Sequence, residues 1–139
     1  MMIKQNWGRI VLFLSIFIKM VKKLSYLNIA FAIAYFVLYL LNSTSFAMIG
    51  IVVVILFNAI VLKHLEKDEP FKSVHFMIGA TNIFFAGFMT LWVSHNIISS
   101  INYHYFGNTW FYILFTSLFI ISILTHFILI LKEGRTVNQ

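Results

Sequence analysis

The sequence predicts an all-α membrane protein, a bundle of four transmembrane helices preceded by an amphipathic interfacial helix, with both termini cytoplasmic. Three observations carry this. The chain of 139 residues is 61% hydrophobic and only 10% charged, where a soluble domain carries about 25% charged residues. Its apolar residues gather into four runs long enough to cross a bilayer. Every Asp, Glu, Lys and Arg lies outside those runs, in segments that a four-span path returns to one side. A surface this apolar calls for lipid as its solvent.

Residues 1–23 are expected to form the interfacial helix. At 100° per residue, Lys4, Ser15, Lys19, Lys22 and Lys23 share one face, and Ile3, Trp7, Ile10, Leu14, Phe17 and Val21 share the other. The apolar run from Ile10 to Ile18 is far shorter than the roughly 20 residues needed to cross. Lys19, Lys22 and Lys23 follow that run with no small-residue cleavage site, which speaks against a signal peptide.

The first span is expected at 24–41, closed by a short turn at 42–45, and the second at 46–62. A charged loop at 63–73 follows, broken by Pro70, the only proline. The third span is expected at 74–94, followed by an uncharged loop at 95–108. The fourth is expected at 109–131, with Trp110 and Tyr112 at its outer end as an aromatic belt places them. Residues 132–139 form a tail. The bundle thus occupies 24–131. Lys and Arg collect in cytoplasmic segments, so both termini and 63–73 are expected inside, in a multi-pass protein of a bacterial inner membrane.

Each span carries its few polar residues in register. Asn28, Ala32, Tyr35, Tyr39 and Asn42 form one face of the first, and His75, Gly79, Asn82, Ala86 and Thr90 one face of the third. Asn58 shares a face with Gly50, Ile51 and Val54, and Ser122, Thr125 and His126 fall within one turn. Polar and small residues within hydrocarbon belong against other helices. Asn28, Tyr35, Tyr39, Asn58, Asn82, Thr90, Ser122 and Thr125 are therefore expected in the bundle interior. Ala30 and Ala34 form a small-xxx-small pair on the opposite face of the first span, able to seat a partner helix.

The residues exclude more chemistry than they suggest. The chain has no cysteine, so disulfides and thiolate sites are ruled out. No ionisable acid or base of the kind that coupled transporters keep within a span is present. The four acids are Glu66, Asp68, Glu69 and Glu133, the first three interleaved with Lys67 and the last beside Lys132, and no glycine-rich phosphate motif occurs. Among five histidines, His75 and His126 come from different spans and could together ligate haem b. The expectation is nonetheless a protein without cofactor or metal.

The function expected is non-enzymatic: binding to another membrane component, as an accessory subunit or an immunity or exclusion factor. The alternatives are a haem- or quinone-binding anchor of a redox complex, using His75 and His126, and a facilitator of a neutral or lipophilic solute. The net charge of +6 flanks the spans, which fits anionic lipid headgroups rather than nucleic acid. The expected partners are the bilayer and either another membrane protein or a second copy. Candidate contacts are Lys19, Lys22 and Lys23, the Ala30/Ala34 face, and the loop residues Tyr103, His104 and Tyr105.

Overall fold

The computed structural model describes residues 2–40, 45–67 and 71–136, with side chains described at 12–37, 48–67, 71–107 and 109–132. The described chain forms four helices and no strand: α1 (Met2–Leu40), α2 (Ser45–Lys67), α3 (Ser73–Asn102) and α4 (Phe106–Thr136). Neighbours in the chain pack side by side and α4 packs back on α1, which closes a ring; among the described residues the diagonal pairs bring no backbones close together, though Phe57 of α2 meets His126 of α4 through their rings. Three helical stretches are long and apolar enough to cross a membrane: Met48–Lys67, Ser73–Asn102 and Thr109–Lys132.

The first correction to the sequence reading is α1. A break was expected between 23 and 24, and the helix runs straight through it. Lys19 to Leu24 contains neither glycine nor proline, and Lys, Leu and Met are good helix formers, so charge alone ends nothing. The apolar face assigned to the membrane surface is in part a bundle face. Phe17 and Val21 are buried with Phe57, Val61 and Ile130, and Phe71, Phe76 and Phe127 pack around them. Leu12, Phe13, Leu14, Ser15 and Ile16 are all exposed, so among the described residues no helix covers any face of this stretch.

The other helices are longer than expected as well. The loop expected at 95–108 shrinks to Tyr103–Tyr105, because α3 continues to Asn102 and α4 begins at Phe106. Its closing geometry is a Schellman motif. Tyr105 N–H donates to the Ser100 carbonyl (3.2 Å) and His104 N–H to that of Ile101 (3.4 Å). His104 occupies the left-handed position with φ 57°, where glycine is usual, so the sequence lacked the ordinary sign of a helix end. At the start of α3, His75 N–H donates to the Lys72 carbonyl (2.9 Å) and Lys72 N–H donates back to His75 Nδ1 (2.8 Å). The imidazole thus caps the helix. Of the turn expected at 42–45, Ser45 belongs to α2; Pro70 and residues 41–44 lie outside the described residues.

The polarity of the molecule is inverted relative to a soluble domain. Phe84, Leu91 and Met77 are 82%, 73% and 71% exposed, while Asn28, Asn58 and Asn82 are at most 1% exposed. A surface of large apolar side chains over a partly polar interior is what hydrocarbon as a solvent selects. The interior has two apolar layers. One holds Val21, Phe57, Val61 and Ile130 near the lysine-bearing ends of the helices. The other holds Ala32, Ile51, Val54, Phe85, Ala86, Met89 and Phe119 toward the opposite end. Stacked and edge-on rings of Phe31, Tyr35, Phe115 and Phe119 join α1 to α4 there, each such pair contributing about 0.5–1.5 kcal/mol beyond its buried area. Close packing fixes two glycines: a Cβ on Gly50 would run into the Phe85 ring, and one on Gly79 into Phe127.

Candidate functional site: a polar layer between two apolar layers

Between the two apolar layers lie Ser25 and Asn28 of α1, Asn58 of α2, Asn82 of α3, and Ser122 and His126 of α4, all buried. Each helix supplies at least one of them. Asn58 and Asn82 both stand nine residues from the ends of the α2–α3 connection, about 13–14 Å by helix rise. Asn28 reaches Asn58 across the α1–α2 contact, and Ser25 reaches His126 across the α1–α4 contact, one turn closer to the lysines. Ser122 is one turn from His126 in the direction of Asn28. So Asn28, Asn58, Asn82 and Ser122 form one level, with Ser25 and His126 just beneath it.

With both Ser25 contacts made, counting hydrogens assigns the roles. The Ser25 hydroxyl donates to the Val21 carbonyl at 3.0 Å, and Ser25 Oγ lies 2.9 Å from His126 Nε2. A carbonyl only accepts, and a hydroxyl has one proton, so His126 Nε2–H donates to Ser25. This is the reverse of what an activated serine needs, where the imidazole accepts the hydroxyl proton. Likewise Asn58 Nδ2 donates to the Val54 carbonyl at 2.8 Å, which turns Asn58 Oδ1 toward Asn28 Nδ2 at 3.3 Å. The chain of donors leaves Asn28 Oδ1 facing the interior as an acceptor. Asn28 Oδ1, Asn82 Oδ1 and Ser122 Oγ are buried with no protein partner.

Further polar contacts tie the bundle toward its other end. Tyr35 Oη and Thr116 Oγ1 are 2.9 Å apart, and Ser100 Oγ and Thr109 Oγ1 are 2.6 Å apart. Ser25, Ser100 and Thr116 were not singled out by sequence, since Ser and Thr are common in spans and usually bond their own backbone. Thr81, Thr90, Ser94 and Ser117 do so here.

Two residues expected inside are outside. Thr90 is exposed and bonds the Ala86 carbonyl at 2.8 Å. Over the 15 residues from His75, a helix of 3.6 residues per turn carries Thr90 about 60° from His75, to the edge of the interior stripe, while Met89 and Val93 stay within it. Thr125 is exposed because it lies about 100° from His126, on the side away from Ile123 and Ile130. Tyr39 belongs to α1, and its side chain lies outside the described residues. Of the contact candidates, Lys19, Lys23, Ala30, Tyr103, His104 and Tyr105 are exposed, and Lys22 and Ala34 are half-buried. Tyr103 and Tyr105 stack with ring centres 6.4 Å apart. Lys22 reaches Glu66 at 4.0 Å with both side chains open to solvent, a pair of at most about 1 kcal/mol.

His75 and His126 are engaged by different groups. His75 packs its ring against His64, centres 4.1 Å apart, and against Phe71. His126 pairs with Ser25 and sets its ring edge-on to Phe57. Among the described residues there is no group of three or more His, Cys, Asp or Glu side chains that could hold a metal ion. A cleft of about 300 Å³ opens on the outer face between α2 and α3, lined by Ile49, Gly50, Val53, Thr81, Phe84 and Phe88. Thr81, its one hydroxyl, donates to the Met77 carbonyl, so the cleft offers apolar contact alone. No family model, curated protein or solved structure matches the chain.

Proposed function

We propose that this is a four-span membrane protein without enzymatic activity that works by binding another membrane component, with the leading end of α1 as its contact element. One observation carries the reading. Leu12, Phe13, Leu14 and Ile16 are exposed on a stretch of α1 that no other described helix covers. A short, mostly apolar stretch left exposed gains by being covered, at roughly 25 cal/mol per Å² of apolar area. Directly behind it stand Lys19, Lys22 and Lys23, with Lys63, Lys67 and Lys132 on the neighbouring helices at the same end. That ring of cations holds the arm at an anionic surface, each lysine contributing about 1 kcal/mol. The topology proposed with it has α1 crossing at 24–40, both termini and the α2–α3 connection in the cytoplasm, and the Tyr103–Tyr105 turn outside, in a bacterial inner membrane.

The interior supports binding over passage of a solute, because Phe119, Ile51 and Val54 fill the axis on one side of the polar layer and Phe57 and Val61 on the other. The separate partners of His75 and His126 withdraw support from a shared haem or quinone site. The deciding experiment places a photo-crosslinking amino acid at Phe13 in the full chain and irradiates native membranes. The expected result is a discrete protein adduct, identified by mass spectrometry. Adducts to lipid alone would make the arm a membrane-surface anchor and end this reading.

A further inference from the structure

We infer that the polar layer is a binding site for one buried water molecule, which joins α1, α3 and α4 where their side chains do not reach one another. Asn28 Oδ1, Asn82 Oδ1 and Ser122 Oγ are each buried without a protein partner, and a buried polar atom left unpaired costs about 1–3 kcal/mol. Three such atoms on three helices at one level ask for a shared guest. The orientation of the Asn28 amide is dictated by the Val54–Asn58–Asn28 sequence of donors, so its oxygen requires a donor from elsewhere. Asn82 Oδ1 requires a second. The Ser122 hydroxyl has a proton to give, and in contrast to Ser117 it is not bonded to its own helix backbone.

The guest must therefore donate twice and accept once. Water does this, and about three hydrogen bonds is what a buried water usually makes. A metal cation would satisfy the oxygens but would stand in the bundle without a carboxylate, since the described layer contains none. The apolar layers on either side close the site off, so the water exchanges slowly.

The test uses the wild-type chain, isotope-labelled and purified in detergent, and reads magnetisation transfer from long-lived water to the side-chain amides of Asn28 and Asn82 by NMR. Cross-peaks at both amides are expected. Their absence overturns the inference whatever any variant does. A double-mutant cycle with Asn28→Leu and Asn82→Leu adds an independent reading, because the two side chains lie on helices that do not pack directly. If they share a water, the Tm loss of the double variant is close to that of the worse single variant. Losses that simply add would mean two unrelated polar groups and would also overturn it.

Discussion

His104 shows most clearly how one residue sets the local backbone. It holds φ 57° at the left-handed position that ends α3, a conformation that costs an ordinary L-residue roughly 1–2 kcal/mol. His104→Gly should therefore raise stability by about 0.5–1 kcal/mol, and His104→Val should lower it by at least as much, both read as Tm in detergent. If the turn tolerated valine as well as glycine, the Schellman geometry would be wrong. The same position explains why the end of α3 was missed. A helix stop is read from glycine, and the nearest one, Gly107, lies beyond the turn and inside α4. His126 and Ser25 illustrate the converse. Each is an ordinary residue in its own helix, and only their 2.9 Å contact across 101 positions gives them a role.

At the scale of elements, α1 is the finding with most consequence. A 39-residue helix extends about 58 Å, so the arm and the segment that follows it move as one rod rather than as two hinged pieces. Lys23→Pro separates these alternatives. Lys23 is exposed, so the change removes no packing. Within a continuous helix it deletes a backbone hydrogen bond and forces a kink, at about 3 kcal/mol or more. At the first turn of a separate span, proline would be well placed and nearly neutral. We expect a Tm loss of many degrees together with reduced helix content by circular dichroism. A neutral result would restore the hinge between 23 and 24.

For the whole molecule, the lysines gathered at one end of the ring predict its orientation. The chain contains no cysteine, so single cysteines report without background. Lys67→Cys and Lys4→Cys should be protected from an impermeant thiol reagent in intact cells and label after permeabilisation, whereas Tyr103→Cys should label directly. Ser100 is unsuitable as an outer reporter because it is fully buried against Thr109. Labelling of Lys4→Cys in intact cells would mean that α1 does not cross, leaving three spans; labelling of Lys67→Cys but not Tyr103→Cys would invert the protein.

Much of the architecture was legible because it follows from local composition. Apolar runs bounded by lysine define helices whatever their neighbours do, and asparagine in such a run turns inward because hydrocarbon offers it nothing. Asn28, Asn58 and Asn82 went inside for that reason. Helix ends and side-chain pairing were not legible. Continuity of α1 depends on the absence of a breaker rather than on the presence of a signal, and α1 gains burial for Phe17 and Val21 by remaining one helix. Thr90 and Thr125 fell outside because a few tens of degrees of helical phase decide which residue meets the axis. The pairing of Ser25 with His126, and the three polar atoms left facing one another's helices, depend on register between helices far apart in the chain. Only the packing of large side chains such as Phe57, Phe85 and Phe119 sets that register.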